Sequence, residues 1–341
     1  MRNFSLPTVA VLGIWLAGAS VLWGEDIPPY FDALARGMYM VFEDDFAGAQ
    51  ALFDSLGREY PGDPTPLVFR IIAESSELQD RGAVRFDGSI REELARAESL
   101  CIARWGKNPA PAWANFVMGN LYGQWAMIEI MGERDFLAAF GKIRAAENHW
   151  ERAIDDPIIG AECAGGLGNL YYWQSAQAGI LRSFGVIRDR RAEGINLLRR
   201  AAEKSKIAKD SALHSLFFAL LDFGDTAAAE SALAELAARH PHSRTVKWDR
   251  LTLALARGEC AAAVSVAESL KEYYDTVSEF NTVQLTVAVS YGRLCAGDTA
   301  AACYKFGQTV SAADEKILSR LRDNRWWKEI YETVSRVCEG R

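Results

Sequence analysis

Two short helical patterns separated by a break occupy residues 211–243, and this helix pair constrains the fold more than any other stretch. Apolar residues recur at helical spacing through the first pattern. Gly224 interrupts it, Thr226 is placed to cap a second helix, and Pro241 ends that helix. Because a single pair of this size cannot bury its apolar face, it needs neighbours of the same kind. The chain is therefore expected to be all-α and repetitive.

Small residues recur where the second helix of such a pair would pass its partner. They stand at seven positions, Ala49, Ala97, Ala146, Gly194, Ala229, Ala263 and Ala302. The residue four places later is larger at most of these sites, as Phe53, Cys101, Trp150, Leu198, Leu233, Ala267 and Phe306. This pattern predicts about seven helix pairs. The small residue admits a close neighbour, and the larger one fills the groove to the next pair.

The first helix of several pairs carries a small residue of its own, at Gly37, Gly119 and Gly168. Taken with Ala49 and Phe53, this order of small and large residues resembles the tetratricopeptide repeat (TPR) family. The resemblance covers most of the chain. It rests on residues that pack helices together, so it is specific for fold and says little about the ligand.

The resemblance implies an all-α fold, a right-handed α-solenoid of about seven TPR-like helix pairs over residues 28–312. Apolar residues after about Asp314 predict one or two further helices over 313–341, which cap the last open pair. A TPR-like solenoid also implies a concave face, lined by the first helices, that binds protein or peptide partners. The expected function is thus a non-catalytic binding or assembly module.

The repeat is longer in the middle of the chain. Successive small residues from Ala49 to Gly194 are 48 or 49 residues apart, whereas Ala229 and Ala263 are 34 apart. The motif Gly-Asn-Leu-Tyr occurs in both the third and the fourth unit. These two units are therefore expected to have a lengthened first helix and a longer connection to the second helix.

Polar and aromatic residues on the first helices of the third and fourth pairs form the candidate binding site. They are Asn120, Tyr122, Gln124, Trp125, Asn169, Tyr172 and Trp173. In TPR-like proteins such residues line the concave groove, and aromatic side chains suit a binding surface. The alternative is that they are aromatics packed between the helices of the solenoid.

Asn120 and Asn169 follow the small residue of their helices, where peptide-binding TPR members that grip C-terminal carboxylates carry an Asn. Those members also have Lys and Arg nearby, and this chain has Phe116 and Gly165 where the Lys would stand. This departure from the family argues against a carboxylate grip and leaves open a groove for a neutral or extended chain.

The N-terminus has the layout of a secretory signal peptide over residues 1–19. Arg2 gives a positive start, residues 6–16 are an apolar run, and Ala17-Gly18-Ala19 is a small-residue cleavage site. The alternative is an uncleaved anchor helix. No later segment is apolar enough to cross a membrane. Cleavage would make the chain periplasmic or secreted.

The net charge of −7 argues against nucleic acid as the main partner. One stretch departs from this balance, because residues 182–209 hold nine basic and three acidic side chains. It could dock an acidic partner or an anionic surface, or it could be a solvated outer helix face. A surface-associated assembly protein is a third functional reading.

Catalytic and cofactor motifs are missing from the sequence, so no cofactor, no metal and no enzymatic activity are expected. Gly165, Gly166 and Gly168 look faintly like a nucleotide-binding loop but follow no strand, so they are interpreted as a helix contact. His214 is interpreted as a packed or groove-lining residue. The alternative function is an enzyme in which helix pairs close into an α/α toroid, with carboxylates acting on an envelope polymer. Such a chain would have to return to its first unit.

Six cysteines are present and none forms a Cys-x-x-Cys pair. An exported chain could oxidise some of them. Cys260 and Cys295 would lie on neighbouring helices of the TPR-like packing, which gives the hypothesis of a disulfide between them. The alternative is that the cysteines are buried apolar residues.

Overall fold

A computed structural model describes residues 27–82, 88–131, 136–177, 188–323 and 325–339. All regular structure in these ranges is α-helical and no strand occurs within them, so the all-α prediction is confirmed. In chain order the helices are α1 Phe31–Phe42, α2 Phe46–Glu59, α3 Thr65–Asp80, α4 Gly88–Trp105, α5 Ala112–Met131, α6 Phe136–Ala153, α7 Ile159–Gln177, α8 Arg191–Lys204, α9 Lys209–Phe223, α10 Thr226–Arg239, α11 Arg244–Arg257, α12 Cys260–Tyr274, α13 Glu279–Cys295, α14 Thr299–Ala312, α15 Glu315–Asp323 and α16 Arg325–Glu339.

Consecutive helices pack against each other along the chain, which gives pairs from α1/α2 to α13/α14 followed by α15 and α16. The seven small residues named above all lie on the second helix of a pair, and all seven are buried. Each of these small residues therefore lies at a packed position of its helix.

Helices α7 and α8 cross closely. A Cβ atom on Gly168 would lie 2.8 Å from the carbonyl oxygen of Gly194, so the two backbones touch there. Trp150 on α6 fills space beside α5 and α7, because a Cβ on Gly119 or on Gly166 would meet its ring at about 2.5 Å or less. The larger residue thus bridges one pair to the next, as the sequence predicts, and Gly166 and Gly168 are helix contacts.

The first helices of the third and fourth pairs are long, as predicted. Helix α5 has 20 residues and α7 has 19, against 12 in α1 and 14 in α11. The connections after α5 and α7 include residues 132–135 and 178–187, which lie outside the described residues.

Aspartates cap three of the second helices. The side chains of Asp45, Asp225 and Asp298 accept hydrogen bonds from backbone N–H groups three residues later. The expectation that Thr226 caps α10 is therefore wrong by one residue. Gly224 ends α9 with φ of 94°, a left-handed conformation that glycine adopts without strain.

Two helices follow the last pair. Trp327, Tyr331 and Val334 on α16 are buried in the same cluster as residues of α13 and α14. A disulfide joins Cys303 on α14 to Cys338 on α16. The hypothesis of a bridge between Cys260 and Cys295 is wrong for this structure, in which both are free thiols.

The predicted signal peptide lies outside the described residues. Among the helices in the described ranges, none is both long enough and apolar enough to span a bilayer.

Candidate functional site

The chain returns to its first helices, and a set of polar contacts joins the two regions. We call these contacts the seam. On one side they involve the α1–α2 turn and the end of α3, and on the other side α10, α11, α12, α13 and α15. Partners in the seam are about 160 to 240 residues apart in sequence.

Arg244, at the start of α11, is the centre of the seam. Its guanidinium donates to Asp80 Oδ2 at 2.8 Å, and its backbone N–H donates to Asp44 Oδ2 at 2.8 Å. Asp80 also accepts from the Tyr274 hydroxyl at 2.5 Å, and its backbone carbonyl accepts from Asn281 Nδ2 at 2.6 Å. Asp80 therefore bonds to α11, α12 and α13 at once.

His240, at the end of α10, is the second contact of the seam and is fully buried. Its Nδ1 lies 2.6 Å from Glu43 Oε1, and its Nε2 lies 3.0 Å from Asp210 Oδ2. Burial by itself lowers the pKa of His240, but the interactions with Asp210 and Glu43 outweigh it and raise that pKa above its usual value. The ring also packs against Tyr39 and Phe42, with centroid distances of 4.5 and 5.6 Å, and Arg239 bonds to Asp210 beside it.

A central cavity lies between the two regions that the seam joins. One part has a volume of about 340 Å³ and the other about 450 Å³. Both parts share five lining residues, Met38, Ile72, Gln124, Met127 and Ser211. Residues of α1, α3, α5, α7, α9, α11 and α13 line the two parts, so the first helix of every pair borders the central cavity.

Three of the seven predicted site residues line the central cavity. Gln124 borders both parts, and its buried Nε2 has no hydrogen-bond partner among the described residues. Asn120 is half-buried and donates to the carbonyl of Phe116 one turn earlier. Asn169 is exposed at the edge of the smaller part.

The four predicted aromatic residues are not among those that line the cavity. Tyr122 stacks on His149 at a centroid distance of 5.6 Å. Trp125 donates to Glu129 at 3.0 Å and lies under the ammonium group of Lys142.

Tyr172 is fully buried, and its hydroxyl donates to Asp222 at 2.7 Å. Trp173 packs edge-on against Tyr172 and is partly buried in the second core cluster. These contacts match the alternative stated above, aromatics packed between helices.

His214 on α9, interpreted above as a packed or groove-lining residue, has a polar partner on the next first helix. Its Nδ1 lies 2.9 Å from Oδ2 of Asp249 on α11, and Asp249 is only 1% exposed. Since Nδ1 faces Asp249, Nε2 is the end that remains for the cavity, and 35% of the side chain is accessible. Burial lowers the pKa of His214, but the charge of Asp249 outweighs this and raises it.

A sequence signal for this pair did exist. His214 and Asp249 are 35 residues apart, close to one repeat, and they lie on successive first helices. Polar residues one repeat apart on first helices are brought together by the stacking of the pairs.

The two carboxylates that line the cavity are both engaged. Asp80 belongs to the seam. Glu162 accepts hydrogen bonds from the Ser205 hydroxyl and from the backbone N–H groups of residues 206, 207 and 208. Glu162 thus satisfies the turn that leads into α9. In the described part of the chain, no group of three or more His, Cys, Asp or Glu is placed to hold a metal ion.

The basic stretch is partly paired within the described residues 188–209. Arg190 bonds to Glu193 and lies over the Tyr171 ring, and Arg191 bonds to Asp189. Lys206 and Lys209 pair with Asp32 and Glu235. Half of the eight basic side chains in these residues therefore have an acidic partner.

The chain matches no protein-family model, and a search of curated proteins found no significant match.

Proposed function

We propose that this chain is a non-catalytic binding module of the cell envelope, a TPR-like right-handed solenoid that holds a segment of a partner protein in its central cavity. One observation carries the proposal: the first helix of every pair borders at least one of two adjoining cavity parts that share five lining residues. In a TPR-like solenoid those helices form the binding face.

The size and the lining of the cavity suit a ligand. Its two parts fall within the range of about 300–1,000 Å³ that is usual for ligand sites. The walls are mainly apolar and aromatic, with Phe42, Trp248 and Phe280 in the larger part. Gln124 and His214 add unused hydrogen-bonding groups. An extended peptide would therefore find apolar walls for its side chains and hydrogen-bonding partners for its backbone.

The second candidate is an enzyme that acts with carboxylates on an envelope polymer. The return of the chain to its first helices favours this candidate, because closure is what an α/α toroid requires. Against it, Asp80 and Glu162 are both held in bonds to other groups. A carboxylate that acts as acid or base must reach the substrate, so binding remains the better supported proposal.

Location in the envelope rests on the sequence of residues 1–19. Sequencing of the mature N-terminus tests it, and the expected first residue lies near Ser20. An intact Met1 would contradict export through a cleaved signal.

A cavity-filling variant tests the binding proposal. Ser211 borders both parts of the cavity, so Ser211→Phe should block it. Ser231 on α10 is exposed, and Ser231→Phe is the matched control. The mature chain serves as bait for envelope extract, and retained proteins are identified by mass spectrometry. A partner retained by the wild type and by Ser231→Phe, but lost with Ser211→Phe, supports the proposal. Equal retention by all three contradicts it.

A further inference from the structure

A second cavity, of about 320 Å³, lies between α11, α13 and α16, and we call it the C-terminal cavity. Its volume falls within the range of about 300–1,000 Å³ that is usual for ligand sites. It shares no described lining residue with the central cavity. Helix α16 forms one wall, and its packing on α13 and the Cys303–Cys338 disulfide to α14 hold that wall in place.

Three aromatic side chains line the C-terminal cavity, Tyr291 from α13 and Trp326 and Trp327 from α16. Tyr291 and Trp326 are half-buried, so part of each ring remains accessible. Packing holds the two indoles. Trp327 meets Trp248 edge-on at a centroid distance of 6.2 Å, and Trp326 meets Phe218 edge-on at 6.2 Å. Side chains that are already ordered lose little conformational entropy when a ligand binds.

One carboxylate accompanies the aromatic rings. Glu329 also lines the cavity, and it follows Trp326 by three residues, so the two side chains are neighbours on one face of α16. Among the described lining residues, Glu329 is the one charged group. No basic side chain in the described part of the chain forms an ion pair with it, and the adjacent Lys328 pairs with Glu332 instead. The C-terminal cavity therefore offers a negative charge beside aromatic rings, without a cation of its own among the described lining residues.

We propose that the C-terminal cavity binds a trimethylammonium group, the cationic part of choline. Aromatic rings attract such a cation through their negative faces. Its methyl groups would pack against Leu255 and Ile330, and Glu329 would supply the counter-charge. A primary ammonium group fits less well, because its three N–H donors need three acceptors. This site is separate from the central cavity, so it extends beyond the proposed binding of a partner protein.

Calorimetric titration of the folded full chain with choline, in buffer of low ionic strength, tests the site. The ligand control is 3,3-dimethylbutan-1-ol, which has the shape of choline with a carbon atom in place of the charged nitrogen. Choline should bind at least about tenfold more tightly than this alcohol, since only choline gains the cation–π and charge contacts. No binding of choline, or equal affinity for the two ligands, would overturn the proposal.

Substitutions on α16 locate the choline site. Glu329→Gln should weaken choline binding about fivefold, the upper end for an exposed charge pair. Glu332→Gln is the matched control, because it removes the same charge from an exposed position of α16 outside the cavity and should leave the affinity unchanged. Choline affinity that survives Glu329→Gln, or that falls equally in both variants, would overturn the proposal.

Trp326→Leu examines the aromatic contribution, with circular dichroism to confirm that the helices are retained. This variant should weaken choline binding by about tenfold and should leave the weak binding of the neutral alcohol nearly unchanged. Unchanged choline affinity in a folded Trp326→Leu chain would overturn the role given to the rings.

The trimethylammonium group occurs both in free compounds and in lipid headgroups, and flotation with vesicles separates these sources. Co-flotation of the wild type with phosphatidylcholine vesicles, but not with phosphatidylglycerol vesicles, supports a lipid headgroup as the ligand. Choline binding without co-flotation supports a free trimethylammonium compound. The partner captured through the central cavity should be retained equally by Glu329→Gln and by the wild type, so failure of either site can be recognised separately.

Discussion

The guanidinium of Arg244 donates a hydrogen bond to the carboxylate of Asp80 at 2.8 Å, across 164 residues of sequence. Both side chains are shielded, with 17% of Arg244 and 10% of Asp80 accessible. This pair ties α11 to the end of α3, and with the rest of the seam it closes the central cavity between the early and the late helix pairs. The contact is polar rather than apolar, so closure depends on a few side chains that single substitutions can remove.

Removing the Arg244 side-chain charge should weaken closure without unfolding the helices. Arg244→Met leaves Asp80 and Asp44 without their cation, and loss of one partner of a shielded pair is expected to lower the free energy of unfolding by up to about 3 kcal/mol. Hydrogen exchange should speed up at the end of α3 and in the α1–α2 turn, and the radius of gyration measured by X-ray scattering should increase.

The control for this change is Arg257→Met. Arg257 pairs with Glu230 at a more exposed site, with 27% and 55% of the side chains accessible, so the loss of unfolding free energy should be much smaller than in Arg244→Met. Unchanged exchange and scattering in Arg244→Met would show that the seam does not hold the two regions together.

Stability should depend on pH in opposite ways on the two sides of about pH 6.5, the ordinary pKa of histidine. The pKa of His240 is raised, so the folded chain keeps a proton that the unfolded chain loses, and stability falls as the pH rises above that value. His214 acts in the same direction. Burial, and then the charge of Arg152, lower the pKa of His149 to about 4, so stability falls as the pH drops from about 6.5 toward that value.

Urea denaturation over a range of pH checks this dependence. His240→Gln should reduce the slope on the alkaline side, with the remainder due to His214. His149→Gln should reduce the slope on the acid side. An alkaline slope that His240→Gln leaves unchanged would show that His240 is not protonated in the folded chain.

The backbone contact between α7 and α8 should tolerate no side chain. A Cβ on Gly168 would lie 2.8 Å from the Gly194 carbonyl oxygen and 2.9 Å from the Leu198 nitrogen, so Gly168→Ala must push the helices apart. The expected loss is about 1–3 kcal/mol of unfolding free energy. Gly307 on α14 has open space around it, and Gly307→Ala should instead add about 0.4–1 kcal/mol. A thermal melt in which both variants are equally stable would contradict the crossing.

The helix pairs could be predicted from sequence because their signals are local. The small residue of a second helix and the Gly of a first helix each indicate a contact within one pair or with the next pair. Gly168 and Gly194 are such residues, and their backbones meet. The seam could not be predicted in this way. Whether Asp80 meets Arg244 depends on small rotations that accumulate over several pairs, and no local pattern records their sum.

The face of α5 that borders the cavity was predictable in principle. Asn120, Gln124 and Met127 are spaced by four and three residues and share one helical face, which is the face that borders the cavity. Tyr122 and Trp125 stand on another face of the same helix. Residue type alone therefore does not identify the side chains that border the cavity, because helical face decides it.

Site-specific photo-crosslinking shows whether the cavity bordered by the first helices receives a partner. A diazirine analogue of methionine at Met127, which borders both parts of the cavity, should form an adduct with a defined segment of a second protein in envelope extract. The same group at Leu137, which is 88% exposed at the start of α6, is the control and should not form that adduct. No protein adduct at Met127, or the same adduct at both positions, would contradict the account.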